Sequence, residues 1–195
     1  MIFKKSGPPE WLLVCLGNYG KQYENPRHNI GFMAVETLAD RSLPWKEEYK
    51  ALTQKVRIGS EDVVLAKPQT FMNLSGEAVQ PLLSWYKVPT SKFIVLVDDI
   101  TLDVGRMRVR GKGSHGGQNG LRNIIEKIGP DFMRIRIGEG KCPPRWDLAN
   151  WVLSKVSADE KPLLDKALGY VPEVVRMLMG PGLAACMEKF NGPLA

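Results

Sequence analysis

The sequence predicts an α/β fold, a single-domain sandwich whose mixed, mostly parallel twisted sheet carries helices on both faces. Three observations lead there. The runs "WLLVCL" and "KFIVLVDD" are continuously apolar until their ends, as strands covered on both faces must be. They alternate along the chain with segments of helical periodicity, the pattern of parallel strands joined by crossover helices. The pair "ALTQKVRIG" and "EDVVLAKP", folded about Gly59-Ser60, reads as a hairpin that adds antiparallel neighbours to the parallel core.

Taken in order, the first strand at 11–16 leads through a polar loop into "NIGFMAVETLADR". There Phe32, Val35 and Ala39 fall on one helical face before Pro44 forbids continuation. The hairpin follows. "SGEAVQPLLSWYKV" reads as a helix with Ser75 at its N-cap and a kink at Pro81, and "KFIVLVDD" as a central parallel strand. "GRMRVRG" alternates Arg106, Arg108 and Arg110 with Met107 and Val109, so one face of this strand is basic and the other buried. "GQNGLRNIIEKIG" is a helix, "FMRIRIGEG" another strand, and "CPPRW" a loop. The stretch "SADEKPLLDKALGYVPEVVRMLMG" is a long helix capped by Ser157 and bent at Pro172.

The 195 residues, 44% hydrophobic, are the size of one domain, and 1–195 is read as one unit. No apolar run reaches a membrane span, and "MIFKKSGPPE" has lysines without an apolar segment after them, so the expected location is the cytoplasm. Cys15, Cys142 and Cys186 are odd in number and far apart, which supports neither a disulfide framework nor a zinc site; Cys15 is expected in the core. The net charge of +6 is concentrated: residues 106–145 hold ten Lys or Arg against three Asp or Glu, and the rest of the chain is close to neutral. Such a localised excess suits a polyanion partner or, equally, a solvated charged face.

Ligands of open α/β sheets bind beyond the carboxyl ends of the strands. The segment "GNYGKQYENPRHN" follows the first strand there, crowded with amides and one of only two histidines. His28 and Asp99 form the best acid–base pair on offer. A carboxylate on one imidazole nitrogen fixes the tautomer and leaves the other to take a proton from water. The helix that follows His28 is expected to disfavour imidazolium and keep the base neutral. Residue types alone leave His28 open between this role and a structural hydrogen bond. Asn18, Asn73 and Asn119 each sit in a polar loop beside a strand, where an amide can hold a peptide or polarise a carbonyl, or serve as a turn or cap. "GKGSHG" matches the dinucleotide pattern, but its preceding strand carries arginines and lies in mid-chain, so that match is judged false. A glycine-rich loop at a helix start still suits a phosphate or carboxylate. His115 is marked by nothing beyond its glycines.

Four ordered blocks, "LVCLGNYGKQYENPRHNIGF", "LAKPQTFMNLSGEAV", "VLVDDITLDVGRMRVRGKGSHGGQNGLRNII" and "RIRIGEG", resemble bacterial peptidyl-tRNA hydrolase. The resemblance implies hydrolysis of the ester between a stranded peptide and its tRNA, with no cofactor and no metal, by a monomer. It implies His28 as general base oriented by Asp99, and Asn18 as the residue that tells a blocked peptidyl group from a free aminoacyl one. By the same comparison Tyr23, Phe71, Asn73 and Asn119 contact substrate, while Arg110 and Arg136 clamp the tRNA 5′ phosphate. The chain departs from the family pattern at Cys15, Tyr19 and Thr101, which read as peripheral, and at Gln118, where the family's usual histidine borders the cleft. The alternative is an RNA-binding protein of the same fold without hydrolysis, like organellar splicing relatives of this family. Such a protein has no need of a proton-transfer pair.

Overall fold

β1 (Trp11–Cys15) is buried along its whole length because it is the central strand of a seven-stranded sheet. The protein is described here by a computed structural model covering residues 9–20 and 27–194. β4 (Glu61–Pro68) and β5 (Phe93–Asp99) flank β1 in parallel, and β7 (Met133–Gly138) lies parallel to β5. The outer joints are antiparallel: β3 (Ala51–Ile58) on β4, β2 (Lys46–Glu48) on β3, and β6 (Met107–Arg110) on β7. The strand order is therefore β2-β3-β4-β1-β5-β7-β6. Both outermost strands are short and charged, which discourages further strand addition at the edges. The hairpin turns at Gly59, whose φ of +63° suits a residue without a Cβ.

Alternation along the strands makes two cores. On one face α1 (Ile30–Val35), α5 (Lys161–Met179) and α6 (Leu183–Phe190) pack on Leu13, Cys15, Ile94, Leu96, Ile135 and Ile137. On the other, α2 (Gly76–Tyr86) and α3 (Asn119–Ile128) pack on Leu12, Val14, Val95 and Val97. Both faces are covered, which is why these strands read as unbroken apolar runs. Cys15 is fully buried, as expected, and burial raises its thiol pKa. No helix among the described residues is long and apolar enough to cross a membrane.

Several local expectations change. α1 stops at Val35, and the side chains it buries are Ile30, Ala34 and Val35 rather than a face of Phe32, Val35 and Ala39. The helix is rotated by contact with β1: a Cβ on Gly31 would lie 2.3 Å from the Leu16 carbonyl oxygen and 2.6 Å from its nitrogen. Gly31→Ala should therefore push α1 off the sheet and cost about 1–3 kcal/mol, measured as a fall in the denaturant midpoint at constant slope. Ser75 does not cap α2; its hydroxyl donates to the Met72 carbonyl, and the Gly76 N–H is taken by Asn123 Oδ1. Pro81 and Pro172 lie inside α2 and α5, as expected. Ser157 does act at the start of α5, exchanging hydrogen bonds with Glu160 in a capping box. The structure also contains the short β2, α4 (Leu148–Val152) and α6, in addition to the elements expected from sequence.

Candidate active site

The parallel strands β4, β1, β5 and β7 all end on one side of the sheet, and the polar residues gather there. In β5 the inward positions alternate, with Ile94 and Leu96 on the α1 face and Val95 and Val97 on the α3 face. By the same alternation Asp98 belongs to the α1 face and Asp99 to the other. His28 lies in a 3-10 turn (Arg27–Asn29) that opens α1. The carboxylate that reaches it is accordingly Asp98, whose Oδ2 lies 2.8 Å from His28 Nδ1. This corrects the pairing expected from sequence: Asp99 does not orient His28.

Asp98 is held from its other side as well. Gln118 Nε2 donates to Asp98 Oδ1 at 3.0 Å, while Gln118 Oε1 accepts the Leu121 N–H at 2.9 Å and so caps α3. Gln118 thus borders the cleft, as expected, and is also buried in direct contact with the carboxylate that holds His28. Burial alone would lower the His28 pKa, but the charge and hydrogen bond of Asp98 overcome it and hold the imidazole above its ordinary value. The expectation that the helix start would favour the neutral base is overturned, because α1 has six residues and a buried carboxylate lies in contact.

Asp99 serves a different network. Its Oδ2 accepts from Arg136 Nη1 at 2.8 Å, and its Oδ1 accepts the Thr101 N–H and hydroxyl. Burial works to raise this carboxyl, yet the bonds from Arg136 and Thr101 keep it below the usual range. Arg136 also donates to the His115 carbonyl, and Arg134 donates to those of Gly113 and Ser114, so these two arginines of β7 tie down the glycine-rich loop. Gly116, at φ +58°, leaves room for the guanidinium: a Cβ there would sit 3.0 Å from Arg136 Nη2.

Arg110 and Arg136 stand on facing strands two positions apart, not directly opposite one another. Arg110 is opposite Arg134 in the β6–β7 ladder, and it faces a hollow with Thr90, Ser91 and Met187, where β5 and β7 begin rather than end. Arg136 is buried and committed to Asp99. The exposed cations of the basic segment are Arg106, Arg110, Lys112, Arg122, Lys141 and Arg145.

Asn18 is fixed by a residue that sequence reasoning passed over. Asn29 Oδ1 accepts the Asn18 N–H, and Asn29 Nδ2 donates to the Asn18 carbonyl. Asn18 Oδ1 in turn accepts the Met72 N–H at 2.8 Å, which leaves its Nδ2 as the donor. Met72 precedes Asn73, which is exposed, and its sulfur accepts from Gln118 Nε2. Phe71, also exposed, packs against Tyr19 with the rings tilted by 40° and their centroids 5.2 Å apart. Tyr23 lies outside the described residues.

His28, Asp98, Asp99, Gln118, Asn119 and Arg136 line one cavity of about 410 Å³, closed over by Leu148, Ala149 and Val152 of α4. α4 is held to the site through Arg27, which stacks on Trp151 at 3.9 Å and pairs with Glu160. Behind the dyad sits Glu139, with no accessible surface and no hydrogen-bond partner for either carboxylate oxygen. Burial, reinforced by the Asp98 charge, pushes its carboxyl up to about 9, against the pull of Arg27.

Residues 12–195 match the family model described as peptidyl-tRNA hydrolase. The chain belongs to the peptidyl-tRNA hydrolase family. The peptidyl-tRNA hydrolase of Lachnoclostridium phytofermentans is 47% identical over 185 residues, which cover 93% of this chain and 96% of that protein. The one from Lachnospira eligens is 42% identical over the same share of this chain and all of its own. Among solved structures, the Acinetobacter baumannii peptidyl-tRNA hydrolase superposes with a TM-score of 0.88 at 34% identity, over 94% of this chain and 95% of that one. The His28–Asp98 pair opens into a cleft that Gly116, Gly117, Gln118, Asn119 and Arg136 of the 106–145 segment also line.

Proposed function

We propose that this member of the family hydrolyses the ester of peptidyl-tRNA by direct attack of a water activated by His28, with no metal ion in the step. The observation that carries the reading is the 2.8 Å contact of His28 Nδ1 with Asp98 Oδ2 at the cleft. The proton on Nδ1 is donated to Asp98, so Nε2 carries the lone pair. Water gives a proton to Nε2 as its oxygen bonds to the ester carbonyl carbon. Asn18 Nδ2 donates to the resulting oxyanion, and the tetrahedral intermediate collapses as imidazolium returns the proton to the departing ribose oxygen. An alkoxide leaving group needs less assistance than an amine, so one base and a few amide donors suffice. Asn119, Asn73 and Phe71 contact the peptidyl end, and the exposed cations of 106–145 engage tRNA phosphates. A monomer satisfies the reading, since every group named comes from one chain.

The test is release of free tRNA from an N-acetylated aminoacyl-tRNA by enzyme dialysed against a chelator. Sustained release is expected, and none above buffer would favour an RNA-binding protein without hydrolysis. Asp98→Asn, which disturbs the imidazole tautomer, should lower kcat by at least about tenfold. Asp99→Asn should chiefly lower the melting temperature, because it unbalances the ion pair with Arg136. The reverse ranking would return the orienting role to Asp99.

A further inference from the structure

We propose that His28, Asp98 and Glu139 form a binding site for a divalent cation of the zinc class, and that occupancy of this site switches hydrolysis off. One ligand atom from each of the three lies within 4.8 Å of the others. An imidazole nitrogen with two carboxylates is a donor set that borderline transition metals accept, whereas magnesium prefers all-oxygen, largely hydrated surroundings.

Two further observations point to a cation. Glu139 is wholly buried and both of its oxygens lack a hydrogen-bond partner, although buried polar groups are almost always paired. The charges around it also leave a specific remainder. Arg136 is matched by Asp99 and Arg27 by Glu160, so among the described residues no Lys or Arg side chain pairs with the carboxylate of Asp98, which meets the His28 imidazole and the Gln118 amide, or with that of Glu139. A divalent ion satisfies both. Access is from the cleft, since the cavity reaches His28 and Asp98. The inhibitory consequence rests on His28 being the base: a neutral imidazole that gives one nitrogen to a metal keeps its proton on the other, and has no lone pair left for water.

The experiment is equilibrium dialysis of the full chain against Zn²⁺, with tRNA release measured in parallel at each concentration. The expected result is one ion bound per chain, hydrolysis lost as the site fills, and recovery on adding chelator. Glu139→Leu removes a buried unpaired carboxyl without leaving a hole, so it should melt no lower than the parent, while zinc affinity falls at least about tenfold. Glu139→Gln should weaken binding likewise, which separates loss of the ligand charge from loss of volume. Absence of stoichiometric binding, or unchanged affinity in Glu139→Leu, would overturn the site. Zinc that binds at this site without inhibiting would instead overturn the proposal's switch and the assignment of His28 as base.

Discussion

His28→Ala should all but abolish release of tRNA, lowering kcat by roughly 10²–10⁴-fold, while leaving the affinity for deacylated tRNA unchanged. The two effects separate because the imidazole acts on the water and makes no phosphate contact in the proposed mechanism. Its side chain is 14% exposed and its charged partner among the described residues, Asp98, is buried. Removing the ring leaves Asp98 with the Gln118 amide still in place, so the local structure should hold. Single-turnover release and anisotropy with labelled tRNA read the two quantities independently. Near-normal turnover in His28→Ala would mean that another group activates the water. A parallel loss of tRNA affinity would mean that the turn opening α1 is part of the RNA interface.

Arg136→Ala should produce the largest loss of stability among the site residues, about 3–5 kcal/mol. The pair it breaks is buried on both sides, with side-chain exposures of 10% for Arg136 and 1% for Asp99. Deleting the guanidinium leaves a carboxylate in the interior and frees the His115 carbonyl, loosening the loop that leads into α3. Gln118 stands at the start of that helix, so the disturbance should reach Asp98 and lower kcat as well. Urea denaturation reads the first effect. The double variant Arg136→Ala/Asp99→Asn should recover part of the loss, because the stranded charge is gone. If Arg136 instead served tRNA phosphates, the substitution would spare stability and reduce the salt dependence of tRNA binding.

The contrast between Asp98 and Asp99 shows how far the chain could be read without its fold. Both stand at the end of an apolar run, and strand alternation states that they face opposite ways. Which way is the α1 face depends on how the crossover after β1 packs, and that follows from Gly31 lying against Leu16. Counting Ile94, Leu96 and Asp98 as one face would have singled out Asp98 once α1 was placed. Asn29 and Gln118 carried a weaker signal. An amide beside a histidine and an amide at a helix start are common cap and turn residues, and only contact shows that one holds the Asn18 backbone while the other holds Asp98. The arginines illustrate the same limit. The alternation in "RMRVR" identifies a strand with one basic and one buried face, but the residues of "MRIRIG" alternate in the same way with both arginines turned inward onto loop carbonyls and Asp99.

By itself the sequence determined the α/β architecture, the hairpin, the family and the neighbourhood of the candidate site, because apolar periodicity and four ordered motifs are local properties of the chain. Tertiary structure alone decided which carboxylate meets His28, that Arg136 pairs with Asp99, that Arg110 stands opposite Arg134, and that Glu139 is buried with no hydrogen-bond partner for its carboxylate. Those outcomes depend on the rotation of one short helix and the register of neighbouring strands. Both are set by packing between residues far apart in the chain, and a displacement of one position along a strand exchanges the two faces of the sheet.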